Sequence, residues 1–300
     1  MNEETFTKNI AALFAKRSDV FTGIGDDAAA LDLGLPSGKL LLAAADQVVE
    51  GVHFVPETHP SDVARKLLHR NISDIAAMGG IPTHALVTLS LNPVDEVWLE
   101  QFNKALSDAA DIYQVAIIGG DVAGAPVPGK AASLTILGLV EKEKLSLRTN
   151  AKAGDHLFLT GSFGKSFPTA HHLTFSPRLA EGRFLAGDYT CAMMDVSDGL
   201  AKDLARFAAD SGLSVELHDP ENTIPERDGA TLRQRLDDGE DYELIIAVPP
   251  EKSEQLLKEW CFPKLPLSRV GTFVADQTPG RILLDGTPIQ EKGYDHFHEN

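Results

Sequence analysis

Aspartate residues recur where short apolar runs begin or end. Six of them follow or precede a predicted strand: Asp26, Asp27, Asp46, Asp121, Asp195 and Asp198. Any one of them has an ordinary explanation, because aspartate also favours turns and helix N-termini. Asp198 before "GLAKDL", for example, would suit a helix cap. Six aspartates at such positions in one chain weaken that explanation, and acids at the rim of a sheet can share one pocket.

Asp74 lies inside a predicted helix and not at the end of a strand. At 100° per residue, it falls about 20° from Leu67 and about 40° from Met78 around the helix axis. It therefore shares the edge of the apolar stripe, where an unpaired carboxylate is costly. Asp74 needs a cation, a hydrogen-bond network or a cleft, and Asn71, one turn earlier, could belong to the same site.

Clustered carboxylates repel one another and raise each other's pKa unless cations neutralise them. Ligands that offer only oxygen atoms favour hard cations, magnesium above all. Magnesium bridges carboxylates to phosphate oxygens more readily than it occupies an all-protein cage. The aspartates therefore predict several Mg²⁺ ions that serve phosphate chemistry.

Composition limits the classes of partner. The chain has 300 residues, 43% hydrophobic and 24% charged, which suits one large or two medium globular domains. A net charge of -17 argues against nucleic acid and anionic membranes as partners. Cys191 and Cys261 imply no disulfide framework and no cysteine metal site, so we expect a reduced, cytoplasmic location. The sequence contains no apolar run of about 18 residues, so we expect no membrane span.

Alternating apolar runs and helical patterns predict an α/β fold. Helices are expected from Ser61, a plausible N-cap, to Gly79, then over 95–113 and 199–212, with an amphipathic helix around Phe6, Ile10 and Phe14. Strands are expected at 39–45, 84–91, 115–119, 131–140, 156–160, 191–195, 214–218 and 243–248. Charged and turn-forming residues over 141–155 indicate a domain boundary.

Two further motifs have weaker functional interpretations. "TGSFGKS" at 160–166 resembles a phosphate-binding loop, but it has two residues between its glycines where that loop needs four. A tight glycine turn or a shorter backbone nest for an anion remain as alternatives. Adjacent residues such as His171 and His172 converge poorly on one metal ion, which favours a surface loop.

Eight stretches, read together in chain order, resemble the thiamine-monophosphate kinase family, within the superfamily of aminoimidazole ribonucleotide synthetase and selenophosphate synthetase. They are "GIGDDAA", "DQVVEGVHF", "NISDIAAMGGIP", "IIGGD", "RTNAKAGD", "DVSDGL", "GEDYEL" and "KGYDHF". "VEGVHF" and "GYDHF" distinguish this family from its relatives better than the shared aspartates do.

The resemblance implies an α/β fold of the α+β type, with an N-terminal domain over 1–143 and a C-terminal α/β domain over 144–300. It implies a homodimer in which strands of two N-terminal domains close a barrel, with ATP bound near the subunit boundary. The implied reaction transfers the γ-phosphoryl group of ATP to thiamine monophosphate, giving thiamine diphosphate and ADP. Mg²⁺ is the implied cofactor.

By matching position, the resemblance also implies which residues form the site. The metal ligands are Asp27, Asp46, Asp74, Asp121 and Asp195, with Asp198 as a further ligand and Asp26 beside them. The nucleotide contacts are Gly120, Asp121, Arg148 and Ser197. The thiamine monophosphate contacts are His53, Glu240 and Tyr294, although His53 would also suit a packed core histidine and Tyr294 a tail anchor. No general base is required, because a phosphate acceptor is already anionic near neutral pH.

The chain departs from the family pattern at Ala44 and Ala45, where the family commonly has hydroxyl residues, and in a shorter segment after Ser166. These departures keep open a paralogue that binds nucleotide or thiamine phosphate without turnover. Another ATP-dependent synthetase of the superfamily is a second alternative, against which "VEGVHF" and "GYDHF" argue.

Overall fold

The computed structural model describes residues 18–35, 38–290 and 292–294. The helix predicted around Phe6, Ile10 and Phe14 lies outside the described residues. Two sheets organise the described chain, one formed before residue 142 and one after residue 155. The fold is therefore of mixed α/β type with two sheets, as predicted.

The first sheet has six strands in the order β1-β2-β3-β6-β4-β5. They are β1 (Val20–Thr22), β2 (Ala29–Leu31), β3 (Lys39–Val49), β4 (Ile81–Asn92), β5 (Ala116–Gly124) and β6 (Gly129–Glu141). All neighbours pair antiparallel except β4 and β5, which are parallel. Over the described residues this sheet is open, with β1 and β5 at its edges.

The second sheet has seven strands in the order β13-β12-β9-β11-β7-β10-β8. They are β7 (His156–Thr160), β8 (Ala192–Asp195), β9 (Leu213–Leu217), β10 (Leu244–Val248), β11 (Leu267–Ala275), β12 (Ile282–Leu284) and β13 (Thr287–Pro288). β10, near one edge of the sheet, is buried along its whole length. β8 forms one edge and ends at Asp195.

Eight helices accompany the sheets in the described ranges. They are α1 (Pro60–Ala77), α2 (Glu96–Ile112), α3 (His171–Thr174), α4 (Leu179–Leu185), α5 (Leu200–Asp210), α6 (Pro220–Thr223), α7 (Leu232–Asp237) and α8 (Pro250–Glu259). Short 3₁₀ turns occupy Lys142–Lys144 and Arg148–Asn150 between the sheets. No helix among them is both long enough and apolar enough to cross a bilayer.

The helices and strands predicted within the described residues are confirmed, with ends that differ by a few residues. Two differences matter for the site. Asp46 and Asp121 were expected just after strands, but β3 continues to Val49 and β5 to Gly124, so both aspartates lie within strands. β5 approaches β4 closely at Gly120, where a Cβ atom would lie 1.8 Å from the Val87 carbonyl oxygen.

Helix α1 connects the two halves of the molecule. It packs against α2 and β3 on one side and against α4 and β8 on the other. Its N-cap is His59, whose Nδ1 accepts a hydrogen bond from the Ser61 amide at 3.3 Å; Ser61, the predicted cap, lies in the first turn. Pro60 suits the first helical position because it lacks an N–H group that would have no partner there. Gly79, with φ of +69°, follows the helix end.

Gly182 of α4 lies against the last turn of α1. A Cβ atom at this position would lie 2.4 Å from the carbonyl oxygen of Ala76. Helix propensity alone would make Gly182→Ala stabilising by about 1 kcal/mol. The clash with the backbone forces the helices apart at a cost of about 1–3 kcal/mol, so we expect the substitution to lower the urea midpoint of unfolding.

Gly23→Ala is the matched control, because its Cβ atom would meet Val20 Cγ1 at 3.5 Å, an ordinary contact. We expect its urea midpoint, followed by circular dichroism, to equal that of the wild type or to rise slightly. A midpoint for Gly182→Ala at or above the wild-type value would contradict the close packing of α1 and α4.

Candidate functional site

Three aspartate carboxylates from distant parts of the chain converge at the junction of the two sheets. Asp27 lies between β1 and β2, Asp74 lies on α1, and Asp195 ends β8. One oxygen atom from each lies within 4.8 Å of the other two. Such a group of carboxylate oxygens suits a hard divalent cation.

The three carboxylates line a cavity of about 210 Å³, named here the acidic cavity. Six of the seven predicted metal ligands line it: Asp26, Asp27, Asp46, Asp74, Asp195 and Asp198. Three arginines, Arg70, Arg148 and Arg206, and the predicted nucleotide contact Ser197 line it too. The structure thus brings six of the predicted ligands to one cavity, and their role in binding metal stays a prediction.

The arginines pair with part of the acidic set. Arg148 donates a hydrogen bond to Asp27 and lies 3.6 Å from Asp26, while its backbone amide donates to Asp26 at 3.3 Å. Arg70 Nε donates to Asp46 at 2.7 Å. These pairs partly neutralise Asp26, Asp27 and Asp46, whereas Asp74 and Asp195 form no ion pair within the described part of the chain.

Burial and mutual repulsion raise the pKa values of the central carboxylates. The pKa of Asp74 is well above its ordinary value, first because of burial and then because of Asp46, Asp195 and Asp27. Burial likewise raises the pKa of Asp195 well above normal. Burial and the neighbouring Asp27 raise the pKa of Asp26 to about 7, although Arg148 partly opposes them. Protons and cations therefore compete for these carboxylates.

One carboxylate oxygen at the cavity has a free coordination position. Asp27 Oδ2 is buried and, among the described residues, has no hydrogen-bond partner. A buried carboxylate oxygen without a partner is costly, and a bound cation would remove that cost. Asp195 is better satisfied, since Ser73 Oγ of α1 donates to it at 2.6 Å.

A buried aspartate holds the loop after β8 in place. The backbone amides of Ser197 and Asp198 both donate to Asp203 Oδ2 at 2.9 Å. Asp198 does not cap the following helix; its carboxylate pairs with Lys202 at 2.8 Å and with Arg206 at 3.5 Å. The loop thus presents Asp198 to the acidic cavity with a fixed backbone.

A second cavity of about 120 Å³ adjoins the first and is named here the aromatic cavity. It is lined by the three predicted substrate contacts, His53, Glu240 and Tyr294, and by the aromatic residues Phe167 and Tyr242. The two cavities share three lining residues: Arg70, Ser197 and Asp198. Two ligands bound in them would therefore meet at this shared wall.

His53 and Tyr294 each make structural contacts and also line the aromatic cavity; their contact with thiamine monophosphate stays a prediction. His53 is buried, and its Nδ1 accepts a hydrogen bond from the Val49 amide at 3.1 Å, yet it also lines the aromatic cavity. The backbone of Tyr294 anchors the tail: its amide donates to the Asp198 carbonyl at 3.0 Å, and its carbonyl accepts from Lys202. Tyr294 is also one of the residues that line the aromatic cavity.

The structure does not bring Gly120 and Asp121 to these cavities. Both lie on β5, the exposed edge strand of the first sheet, and neither lines the acidic or the aromatic cavity in the described chain. Ala45 does line the acidic cavity, where it contributes a methyl group in place of an oxygen ligand.

The loop "TGSFGKS" binds the chain's own carboxylates. The Gly164 amide and the Ser166 hydroxyl donate to Asp241 at 3.2 and 2.8 Å, and the Lys165 amide donates to Asp238 at 2.7 Å. The loop is therefore a backbone nest for internal acids and not a phosphate-binding loop.

The prediction that His171 and His172 lie in a surface loop is wrong for His172. Both residues lie in α3, and His172 is buried and stacks on Phe167 with ring centroids 4.2 Å apart. Burial lowers the pKa of His172 to about 4, so the ring packs in its neutral form near pH 7.

Sequence reasoning missed the basic residues of α1. Lys66, Arg70 and Asp74 follow one another at intervals of four residues, so they lie along one face of the helix. Arg70 lines both cavities, and Lys66 contacts a lining residue of the aromatic cavity. Charged residues repeated at this spacing on a largely apolar helix were the signal available in the sequence.

Comparison with known proteins agrees with this geometry. Residues 25–140 match the family model of the AIR synthase related protein, N-terminal domain, and residues 169–283 match its C-terminal domain. Thiamine-monophosphate kinase of Escherichia coli (strain K12) is 35% identical, with 94% of each chain covered. That of Bacillus subtilis (strain 168) is 32% identical, covering 99% of this chain and 100% of the relative. The chain belongs to the thiamine-monophosphate kinase family.

A solved structure supports the same membership of the thiamine-monophosphate kinase family. The structure described as "AaThiL complexed with AMPPCP and TMP" superposes with a TM-score of 0.84 at 26% identity, covering 99% of this chain and 97% of that one. The two-domain fold of the family therefore extends over nearly the whole chain.

Proton release provides a test of the acidic cavity. Mg²⁺ binds ionised carboxylates, so it competes with the protons that the raised pKa values retain, including that of Asp26 at about 7. We expect the apparent affinity for Mg²⁺, measured by calorimetric titration, to increase at least about tenfold between pH 6 and pH 8. Without Mg²⁺, the free energy of unfolding changes with pH in the opposite direction. The folded state binds protons more tightly than the unfolded state, because its pKa values are raised, so stability falls as pH rises through 7.

Asp74→Asn should weaken Mg²⁺ binding at pH 8, because it removes a central carboxylate. Asp108→Asn is the matched control, since Asp108 pairs with Lys104 on the exposed surface of α2 and should leave the affinity unchanged. An affinity that does not depend on pH would count against a proton-filled acidic cavity.

Proposed function

We propose that this chain transfers the γ-phosphoryl group of ATP to thiamine monophosphate, giving thiamine diphosphate and ADP. The observation that carries the proposal is the pair of adjoining cavities, one acidic and one aromatic with a carboxylate. The first suits a polyphosphate held through cations, and the second suits a cationic heteroaromatic ring. The names of the relatives, and the AMPPCP and TMP of the structural neighbour, support the same reaction.

Mg²⁺ fits the residues of the acidic cavity. Asp27, Asp74 and Asp195 would hold it, with Asp46 and Asp198 as further ligands and Asp26 beside them, and the free Asp27 Oδ2 supports this assignment. Bound Mg²⁺ would neutralise the negative charge of the phosphates and of the transferred group.

The chain's own residues would act by binding and orientation. Arg148 and Arg70 carry positive charge at the acidic cavity. Burial lowers the pKa of both guanidinium groups, but the neighbouring acidic groups raise it by more, so both groups stay charged. No side chain needs to remove a proton, because the acceptor phosphate has a second pKa of about 6 and is largely dianionic at neutral pH.

Transfer would occur at the wall that the two cavities share. A bond forms between an oxygen of the acceptor phosphate and the γ-phosphorus, while the bond from that phosphorus to the β–γ bridging oxygen breaks. Ser197 and Asp198 lie at this wall, on the loop that Asp203 holds rigid. Alignment of the two phosphates is the contribution that this loop makes.

We also propose a homodimer in which the first sheets of two chains close a barrel. Every residue of β5 is exposed, including Ile117, Ile118 and Val122. An exposed apolar edge strand is a natural pairing surface for a second copy. Gly120 and Asp121 of β5 would then lie at the subunit boundary, where they would contact nucleotide and metal.

The proposal also includes a division into two domains and a location in the cell. The chain would divide into domains over 1–143 and 144–300, which is supported by separate apolar cores on the two sheets. Its location would be the reducing cytoplasm, which is supported by two free cysteines, Cys191 and Cys261.

A product assay tests the reaction. The protein, ATP, Mg²⁺ and thiamine monophosphate should yield thiamine diphosphate and ADP, and EDTA should abolish both products. Asp74→Asn should lower kcat at least about 100-fold at saturating Mg²⁺, because it removes charge that positions the transferred group. Asp108→Asn serves again as the control with unchanged turnover.

Thiamine monophosphate that binds without conversion to thiamine diphosphate would identify a non-catalytic paralogue, with Ala44 and Ala45 as the first positions to restore to hydroxyl residues. Turnover of Asp74→Asn near the wild-type rate would contradict the role of the acidic cavity.

Self-association tests the dimer. We expect Ile118→Lys to weaken it at least about tenfold in sedimentation equilibrium, since a charge would be buried between two β5 strands. Val97→Lys is the matched control, because Val97 is similarly exposed, 62% against 56% for Ile118, but lies on α2. Equal dissociation constants for the two variants would rule out pairing through β5.

A further inference from the structure

A buried lysine contacts three residues that line the aromatic cavity. Lys66 lies on α1, and its side chain is 0% exposed. Its Nζ donates to the carbonyl oxygen of His53 at 2.6 Å and to the carboxylate of Glu240. The same Nζ lies 5.6 Å from the ring centroid of Phe167. His53, Glu240 and Phe167 come from three separate segments, and all three line the cavity.

The loop that carries Glu240 has an unusual backbone conformation, which contacts from other parts of the chain hold in place. Glu240 has φ of +64° and Tyr242 has φ of +51°, a conformation that non-glycine residues rarely adopt. Between them, Asp241 is fully buried and bonds to Ser166, the Gly164 amide and Arg227. Asp241 thus fixes the backbone of this loop, while the Glu240 carboxylate is directed by Lys66.

Charge adds to this geometric role. Burial raises the pKa of Glu240, and Lys66 is the first of the groups that oppose the shift. Without the ammonium group, the carboxylate would be buried without its cation and would take up a proton more readily. A protonated Glu240 would attract a cationic ring less strongly.

We propose that Lys66 is a positioning residue for the phosphoryl acceptor: it holds Glu240, His53 and Phe167 in the arrangement that receives the acceptor's cationic ring. The inference rests on the proposed function, because it concerns the acceptor in the aromatic cavity. Lys66 is not among the residues that line either cavity, so it acts through the residues it contacts.

A purely structural lysine would have a different signature. An ion pair that only joins the two halves would, when removed, reduce stability and the amount of active protein, which lowers kcat without a selective change in KM. A positioning residue changes the affinity for the acceptor and leaves the affinity for ATP unchanged. Steady-state kinetics separates these two roles.

The experiment compares KM for thiamine monophosphate and for ATP in the full chain. We expect Lys66→Met to raise KM for thiamine monophosphate at least about tenfold while KM for ATP changes less than twofold. Lys66→Gln keeps hydrogen-bond donors but not the charge; it should show the same selective increase, and it replaces Lys66→Met if that variant does not fold.

Lys144→Met is the matched control. Lys144 Nζ also donates to a carbonyl oxygen and a carboxylate, those of Ala186 and Asp188, at 3.0 and 3.3 Å, but neither of these partners lines the acidic or the aromatic cavity. Both of its KM values should equal those of the wild type.

A double-mutant cycle with Glu240→Gln tests whether Lys66 acts through that carboxylate. In the Glu240→Gln background, Lys66→Gln should raise KM for thiamine monophosphate less than threefold further. Unchanged KM values in the single Lys66 variants, or equal increases for both substrates, would overturn the proposal. A wild-type chain that forms no thiamine diphosphate would instead overturn the proposed function itself, and the positioning role with it.

Discussion

Repulsion among buried carboxylates is the constraint on which the arrangement around the site depends. One carboxylate oxygen from each of Asp27, Asp74 and Asp195 lies within 4.8 Å of the other two, although the three residues are far apart in the sequence. Folding alone does not favour such a cluster, because burial and neighbouring charge raise the pKa values of its members. The cluster is stable only with protons or cations, which is why it marks a binding site and not a structural core.

Helix α1 provides the framework that makes this cluster possible. The helix packs on both sheets, so it can place Asp74 in the acidic cavity and Lys66 behind the aromatic cavity, with Arg70 at the wall between them. Four residues span about 6 Å of helix axis, so the three side chains extend over about 12 Å. A single helix thereby sets the distance between the acidic and the aromatic cavity.

The loops around the cavities are held by charged groups that do not touch a ligand themselves. Asp203 binds the amides of Ser197 and Asp198, and Asp241 is held by the glycine loop and Arg227. Some motifs that look catalytic in the sequence therefore hold neighbouring loops in place through internal hydrogen bonds. The glycine loop at 160–166 is the clearest case, because its amides bind internal carboxylates.

The sequence by itself determined the family, the strands, the main helices and most of the acidic set, because hydrophobic periodicity and short motifs are local properties. It also indicated that Asp74 needs a partner, since the helical period places that residue beside apolar positions. Only the tertiary structure decided which acids meet, which loop amides are already occupied, and that Gly120 and Asp121 lie apart on an edge strand. These are contacts between residues distant in sequence, and no local pattern specifies them.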